Sequence, residues 1–381
     1  SGLLPIILAP PPPALTGEGR FFVANPSLKE KETDKMKMKK LLCIAIAAIM
    51  VLALAACGST NTQTSENGDP SSAPTSDPAA SPSSGASAEA QYVVGIAQQM
   101  THDALDAATQ GFKDALNEIM GEGVVEFRDG NAGGEQSNCP TIVDGFVAEG
   151  VDLILANGTW PLQAAHAATG DIPILGTSIT DYATALNIEN WTGTVGNNIS
   201  GTSDLAPLDQ QAAMIQELFP DAANVGLLYC SGEPNSVYQI ETISGYLEEM
   251  GYTCTPYAFT DVNDLSSVTQ TACDNSDVIY IPTDNTAAGN TETIANVVLA
   301  AGVPVVAAES GICSGCGVAT LSIDYYDLGY TTGEMAAQIL KGEADISTMP
   351  VEYAPSVSKL YNAANCETLG LTIPEGYEAI A

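Results

Sequence analysis

The chain has 381 residues, 45% of them hydrophobic, and carries 46 acidic against 11 basic side chains. Its formal charge of −35 excludes a nucleic-acid-binding protein, because the phosphate backbone would repel it. The length allows about two ordinary domains. The one long apolar segment lies near the start, which excludes a polytopic membrane protein. The two histidines, His102 and His166, leave little material for a zinc site or a Ser-His-Asp triad.

Residues 36–56 have the composition of a signal peptide. A short basic stretch precedes an apolar stretch that ends in Leu-Ala-Ala, directly before Cys57. This ending resembles a bacterial lipobox, which implies cleavage before Cys57, lipidation of its sulfur and anchoring on the extracytoplasmic face of the cell membrane by two acyl chains. The alternative is a single spanning helix, for which the apolar stretch is short.

The segments on either side of the signal peptide carry no pattern of a fold. Residues 1–35 are interpreted as a disordered upstream extension. Residues 57–90 are rich in Ser, Thr, Pro and Ala and have no large apolar residue to bury, so we predict a lipidated Cys57 followed by a disordered tether.

From residue 91 onward the hydrophobic periods alternate between strand and helix. The predicted strands are 92–97, 124–127, 152–156, 172–175, 225–229, 253–259, 278–281 and 303–307. The predicted helices are 105–119, 137–149, 161–169, 204–219, 235–250, 265–273, 291–301 and 325–341. This alternation predicts an α/β fold with two lobes, each a parallel sheet flanked by helices.

The boundary between the lobes is predicted at the polar Gly/Ser stretch 197–203. We expect the long helix near residue 325 to return to the first lobe, which would make the hinge several-stranded. Lobe one is therefore predicted as 91–198 plus 325–345, and lobe two as 199–324 plus 346–381.

Ligands of open parallel sheets bind beyond the carboxyl ends of the strands. The segments at these positions are rich in hydroxyls, amides and acids and contain no Lys or Arg. They are 98–102, 157–160, 177–181, 231–236, 283–285 and 309–310. A phosphate or dicarboxylate would find no counter-charge there, whereas hydroxyls and helix N-termini can hold one carboxylate. Acids such as Glu233, Asp284 or Asp324 can hold an ammonium, so the predicted ligand is a zwitterion such as an amino acid.

Several runs, in order along nearly all of 91–381, resemble a known family. They are HDALDAA at 102–108, GTSDL at 201–205, EPNS at 233–236, PTDNT at 282–286, DYYDLG at 324–329 and LGLTIP at 369–374. Their order and spacing resemble the ABC-transporter substrate-binding lipoproteins often described as tryptophan/tyrosine-binding. The resemblance implies a hinged periplasmic-binding-protein fold of the first type. It also implies a cleft that closes on a small ligand and delivers it to an ABC permease and its ATPase. We expect a monomer with no cofactor, no metal and no enzymatic activity.

The resemblance and the strand-end positions together predict the ligand-binding residues. They are Gln99, His102, Thr159, Trp160, Thr177, Ser178, Tyr229, Glu233, Asn235, Ser236, Asp284, Asn285 and Asp324. The predicted carboxylate contacts are Thr177, Ser178 and Ser236, and Trp160 and Tyr229 are predicted to line the side-chain pocket.

Each assignment has a structural alternative. Glu233 can be an acid favoured near a helix start, and Asp284 and Asn285 can cap the next helix. Trp160 can pack under a loop, and Asp324 can be a hinge residue or a helix cap.

Two other functions stay open on the same scaffold. One is binding of a nucleoside or sugar, and the other is a ligand-sensing module for a membrane receptor. Enzyme motifs such as a Walker A loop, GxGxxG, HExxH or GxSxG do not occur in the sequence. Cys313 and Cys316 have the spacing of a redox or metal pair, but the context of either is missing, so a loop disulfide or two free thiols is expected.

Overall fold

A computed structural model describes residues 90–354 and 356–380. The predicted upstream extension, signal peptide, lipidated Cys57 and tether lie outside the described residues. Within the described residues, no helix is both long and apolar enough to cross a membrane.

Strands and helices alternate along the described chain, as the sequence pattern predicts. The strands are β1 (Tyr92–Gln98), β2 (Val125–Asn131), β3 (Leu153–Asn157), β4 (Ile174–Ile179), β5 (Ile199–Ser203), β6 (Asn224–Cys230), β7 (Thr253–Phe259), β8 (Val278–Ile281), β9 (Val305–Ala307), β10 (Ala319–Ser322), β11 (Glu352–Tyr353), β12 (Ser358–Tyr361) and β13 (Glu378–Ala379). The helices are α1 (Asp103–Met120), α2 (Asn138–Glu149), α3 (Thr159–Ala168), α4 (Tyr182–Leu186), α5 (Leu208–Leu218), α6 (Pro234–Glu249), α7 (Val262–Cys273), α8 (Asn285–Ala288), α9 (Thr291–Ala301), α10 (Ser310–Gly315), α11 (Tyr325–Leu340) and α12 (Ala363–Leu369).

These strands form two sheets. The first sheet has the order β11-β5-β4-β3-β1-β2, and all its pairings are parallel. The second sheet has the order β13-β12-β10-β9-β8-β6-β7, and only the pairing of β10 with β12 is antiparallel. The central strands β3 and β8 are buried throughout, which fits sheets covered by helices on both faces. Each sheet with its helices is one lobe.

Strand β5 shows that the predicted lobe boundary is wrong. Residues 199–203 were predicted to open the second lobe, but they pair with β4 inside the first sheet, and β11 joins the same sheet. The strand has a single large apolar residue, so its period is not visible in the sequence. Its hydroxyls are instead buried and hydrogen-bonded: Thr202 Oγ1 lies 3.2 Å from Thr177 Oγ1 and 2.8 Å from Thr332 Oγ1.

Helix α11 returns to the first lobe. It packs along α1 so closely that a Cβ at Gly329 would overlap the backbone of Ala108, and one at Gly333 the backbone of Phe112. The chain crosses between the sheets after β5, after β10 and after β11. The hinge therefore has three chain segments, and the carboxyl ends of the parallel strands of both lobes face one cleft.

Candidate functional site

A cavity lies where the strand ends of the two lobes meet. Its lining residues are His102, Ala104, Leu105, Ser178, Thr180, Asp204, Asn235, Thr283, Asp284, Asn285, Ala288, Glu309 and Tyr325. Both lobes and two of the hinge crossings contribute to this wall, which is the position expected for the ligand of a two-lobed α/β fold.

Hydrogen bonds join the two lobes around this cavity. His102 Nε2 lies 3.1 Å from Asn285 Oδ1, and the hydroxyls of Thr180 and Thr283 lie 3.3 Å apart. On another side of the cleft, Trp160 Nε1 donates to the Gly232 carbonyl oxygen at 3.3 Å. Because all three contacts would break if the lobes separated, the structure represents a closed cleft.

Three buried carboxyl groups face the cavity. Asp204, Asp284 and Glu309 are 4%, 1% and 3% exposed. Burial raises the pKa of all three, and that of Glu309 rises to about 7. The neighbouring Glu233 raises the pKa of Asp284 further. Burial therefore disfavours the charged forms of these acids in the ligand-free cavity, and a bound cation would stabilise them.

Helix starts position two of these acids. Asp284 is the N-cap of α8: it accepts from Ala287 N at 2.8 Å and from Cys230 N at 2.6 Å. Glu309 is the N-cap of α10 and accepts from two backbone amides at its start, at 2.5 and 2.6 Å. Asp204 instead follows β5 at a hinge crossing and accepts one hydrogen bond, from Tyr325 Oη at 2.9 Å.

Unpartnered polar atoms concentrate at this cavity. Among the residues that the structure describes, eight buried side-chain atoms lack a hydrogen-bond partner, and four of them belong to lining residues. These four are His102 Nδ1, Ser178 Oγ, Asp204 Oδ1 and Asn235 Oδ1. Because buried polar groups in native proteins are almost always hydrogen-bonded, this concentration marks the place where a ligand would supply the partners.

Ser178 has a strained backbone that aims it at the cavity. Its φ is +55°, in the left-handed region that costs energy for a residue with a Cβ. The register of β4 against β5 shifts between Gly176 and Ile179, so Ser178 lies where the pairing of the strands is irregular, as at a β-bulge. Bulges of this kind redirect a side chain next to functional sites.

Among the residues that the structure describes, no Lys or Arg contributes to the wall of the cavity. Among the described cations, Lys113 pairs with Asp129, Arg128 with Glu126 and Glu149, and Lys359 with Glu217, all with partly exposed side chains. The prediction of a cleft without a basic side chain agrees with the composition of this wall.

Five of the predicted ligand-binding residues line the cavity. They are His102, Ser178, Asn235, Asp284 and Asn285. The other eight have different positions, and their burial and hydrogen bonds give the reasons.

Glu233 lies behind the wall and binds the start of α8. Its two carboxylate oxygens accept hydrogen bonds from the backbone and side chain of both Asn285 and Thr286, at 2.7 to 3.1 Å. With Asn235 Nδ2 at 3.3 Å it has five donors, which leaves no need for a ligand ammonium. Its role is to fix the residues that face the cavity.

Trp160 and its neighbours support the cleft without lining the cavity. The Trp160 ring packs against Ala132 and Cys139 of its own lobe. Gln99 accepts from Trp160 N at 3.2 Å, and Thr159 is buried at the start of α3. The alternative that Trp160 packs under a loop therefore describes its position better than stacking on a ligand.

The remaining predicted residues do not line the cavity. Thr177 and Ser236 are fully buried behind the wall. Tyr229 packs against the core of the second lobe, on the side of its sheet that holds Val225 and Leu227. Asp324 is exposed and accepts from Asp327 N at 3.1 Å as the N-cap of α11, so its position is that of a helix cap.

Five lining residues with polar side chains were not among the predicted ligand-binding residues. They are Thr180, Asp204, Thr283, Glu309 and Tyr325. Three of them, Thr180, Thr283 and Glu309, lie in the predicted strand-end segments, but Asp204 and Tyr325 lie at hinge crossings. Both lie in runs that carry the family resemblance, Asp204 in GTSDL and Tyr325 in DYYDLG, and that was their signal in the sequence.

A metal centre has no ligand set here. Within residues 90–354 and 356–380, no group of three or more His, Cys, Asp or Glu side chains is placed to hold a metal ion. Cys313 and Cys316 are buried free thiols, and burial raises the pKa of Cys313 well above its ordinary value. The two-thiol alternative for this pair fits the structure.

Comparison with known proteins supports the fold and the resemblance. The model of the ABC transporter substrate binding protein family matches residues 93–381. A curated relative, the tyrosine-binding protein of Clostridioides difficile (strain R20291), is 30% identical over 282 residues, which cover 73% of this chain and 81% of that protein.

Two solved structures of similar proteins share the fold. An ABC domain in complex with L-Trp from Streptococcus pneumonia is 31% identical, covers 76% of this chain and 100% of its own, and has a TM-score of 0.73. The ligand-free, open structure of a substrate-binding protein with adhesive properties from Clostridium difficile is also 31% identical over 76% of this chain and 99% of its own, with a TM-score of 0.60. The predicted fold class, a two-lobed periplasmic-binding-protein fold of the first type, is confirmed.

Proposed function

Since the chain belongs to the ABC transporter substrate-binding protein family, we propose that it binds a small zwitterion between its lobes and delivers it to a permease and its ATPase. The proposed ligand is an aromatic or other apolar amino acid. The observation that carries this proposal is one closed cavity with three buried carboxyl groups, four unpartnered polar atoms and no cationic side chain.

The ligand's ammonium is assigned to Asp204. Its Oδ1 is buried without a partner, while Asp284 and Glu309 already accept backbone hydrogen bonds at helix starts. Asn235 Oδ1 is a second unpartnered acceptor, because the Asn235 amide nitrogen donates to Glu233 and to the Thr283 carbonyl oxygen. An ammonium has three N–H donors and a positive charge, so it satisfies both acceptors and neutralises buried charge.

The ligand's carboxylate is assigned to the hydroxyl side of the cavity. The Ser178 hydroxyl lacks a partner and can donate, and Thr180 and Thr283 bring two further hydroxyls to the wall. A single carboxylate held by hydroxyl donors needs no Lys or Arg. A phosphate or a dicarboxylate, in contrast, would face three buried acids without a counter-charge.

Closure gives the site its selectivity. His102, Ser178 and Thr180 come from lobe one, and Asn235, Thr283 and Asp284 from lobe two. A ligand that bridges the two sets makes its full contacts only in the closed state, so it shifts the population toward closure. We further propose a lipid anchor at Cys57 on the extracytoplasmic side, where the closed form would meet the permease.

Two relatives support an aromatic ligand. One is named a tyrosine-binding protein, and another was solved in complex with L-Trp. The cavity of this chain has Leu105 and Ala288 as apolar wall and Tyr325 as its aromatic residue.

A thermal-shift screen of amino acids, nucleosides and sugars tests the proposal. A specific ligand binds the folded state and so raises the unfolding midpoint. At a ligand concentration of one hundred times the Kd, the free energy of unfolding increases by about 2.7 kcal/mol. We expect aromatic amino acids to give the largest shift. If only nucleosides or sugars raise the midpoint, the amino-acid assignment fails and the scaffold serves the alternative ligand class.

A further inference from the structure

We propose that His102 selects the ligand's side chain, because its Nδ1 accepts a hydrogen bond from a donor on that side chain. A phenol or an indole supplies this donor, and an unsubstituted benzyl group does not. This inference rests on the proposed function and deepens it from an apolar amino acid to one with a side-chain donor.

The hydrogen-bond network fixes the tautomer of His102. Glu233 Oε2 accepts from Asn285 Nδ2 at 2.7 Å, which turns the amide oxygen of Asn285 toward His102. That oxygen can only accept, so His102 Nε2, at 3.1 Å, carries the proton. Burial lowers the pKa of His102, although its bond to Asn285 and the charges of Glu233, Asp106 and Asp103 oppose this shift. The ring is therefore neutral at pH 7, and Nδ1 is an acceptor.

This acceptor is buried and has no partner. Among the described residues, His102 Nδ1 is one of the four unpartnered atoms of the cavity lining. The proposed ammonium satisfies Asp204 and Asn235, and the proposed carboxylate satisfies Ser178. The acceptor that is left without a partner is His102 Nδ1. The only part of a bound amino acid not yet assigned a contact is its side chain, so we assign the two to each other.

The apolar part of the wall lies next to His102. Leu105 follows His102 by three residues at the start of α1, and Ala288 follows Asn285 by three residues on α8. Because Leu105 and Ala288 line the same cavity as His102 and Asn285, the hydrogen-bonded His102–Asn285 pair borders an apolar surface. Such a surface suits a ring with a single polar atom at its edge.

Selectivity follows from the cost of an unsatisfied acceptor. A ligand that lacks the donor would displace any water from the cavity and leave His102 Nδ1 buried without a bond. Sites built to bind a substrate hydroxyl or N–H reject analogues without it far more strongly than apolar pockets reject size differences. We expect phenylalanine to bind at least about tenfold more weakly than the better of tyrosine and tryptophan.

Calorimetric titration of the full-length protein tests this directly. The ligands are L-tyrosine, L-tryptophan, L-phenylalanine and 4-fluoro-L-phenylalanine, which has a substituent but no donor. Both donor-free ligands should show the tenfold loss. If tryptophan is the preferred ligand, 1-methyl-L-tryptophan replaces the fluoro compound and should show the same loss. Equal affinities of the donor-free and donor-bearing ligands would overturn the proposal without any variant.

A pair of variants assigns the effect to His102. His102→Phe removes the acceptor and one lobe-bridging bond, whereas Trp160→Phe removes only a lobe-bridging bond, to Gly232, away from the cavity wall. We expect His102→Phe to bring the affinities for phenylalanine and the preferred ligand within about threefold of each other. Trp160→Phe should weaken the binding of all ligands alike and preserve the ratio of the affinities for the preferred ligand and phenylalanine.

The outcomes separate this inference from the proposed function. Binding of all aromatic amino acids without discrimination leaves the function standing and refutes the selector. A ratio that survives His102→Phe refutes the role of His102. If no amino acid binds, the proposed function fails, and the inference falls with it.

Discussion

Replacing Asp204 by Asn should abolish most of the ligand affinity without unfolding the protein. Asp204 is 4% exposed, and its carboxylate has one partner, Tyr325 Oη at 2.9 Å. Asn keeps the shape and can still accept from Tyr325, but it then turns an N–H₂ group toward the place assigned to the ligand's ammonium. The variant therefore replaces an attraction by two facing donors.

The magnitude follows from the burial of the pair. Removing one partner of a buried, hydrogen-bonded charge pair costs about 2–5 kcal/mol, so the Kd should rise by about 30-fold or more. The folding stability of the ligand-free variant, in contrast to its ligand affinity, should not fall. Burial raises the pKa of Asp204, which means that the charged form destabilises the folded state. Asn removes that charge, so the unfolding midpoint of the ligand-free protein should be unchanged or higher at pH 7.5.

Titration calorimetry and thermal unfolding of Asp204→Asn and Asp324→Asn provide the test. Asp324→Asn is the matched control, because it makes the same chemical change at an exposed helix cap that does not line the cavity. The Kd of this control should stay within about twofold of the wild-type Kd, because substitutions at exposed positions usually have small effects. Equal affinities for both variants and the wild type would refute the assignment of the ammonium. A larger loss for Asp324→Asn would restore the role that the sequence predicted for it.

Three further predictions concern pH, packing and closure. Burial raises the pKa of Glu309 from 4.5 to about 7, so the folded state retains a proton that the unfolded chain loses. This group should lower the stability of the ligand-free protein by up to about 3 kcal/mol as pH rises from 4.5 to 7. In thermal unfolding, Glu309→Gln should make the pH slope shallower by this share, while Asp284, whose pKa is also raised, keeps its own contribution. Gly329→Ala should destabilise the protein by about 1–3 kcal/mol or more, because α11 packs on the backbone of α1. Gly145→Ala, in open space within α2, should stabilise the protein by about 0.5–1 kcal/mol. Urea titrations measure both changes. Ligand-induced change in tryptophan fluorescence should persist in Trp191→Phe and disappear in Trp160→Phe, because only Trp160 bonds across the cleft.

The regular part of the fold was predictable because burial dictates it. Strands such as β3 and β8 are apolar throughout, and α1 shows a clear helical period, so the sequence pattern carries the alternation of strand and helix. Strand β5 was not predictable in this way. The strand is buried, and its Thr hydroxyl is hydrogen-bonded to other buried hydroxyls. A run of Ser, Gly and Thr is typical of a linker, so the sequence does not indicate a buried strand unless these tertiary partners are known.

The site was predictable to the level of segments and not of side chains. The strand-end rule found the neighbourhoods of His102, Ser178 and Asp284. It did not show that a bulge turns Ser178 toward the cavity, or that Glu233 turns away to bind the start of α8. Asp204 was missed because it lies at a hinge crossing, where the two lobes together create the wall.

The most direct measurement compares L-tyrosine with its two singly charged analogues, tyramine and 3-(4-hydroxyphenyl)propionate, by titration calorimetry. The three ligands share a ring and differ only in which charge is present. We predict that tyrosine binds and that each analogue binds at least about 30-fold more weakly, because each leaves one polar side of the closed cavity unsatisfied. Binding of either analogue as tightly as tyrosine would contradict the capture of a zwitterion by a cleft without basic side chains.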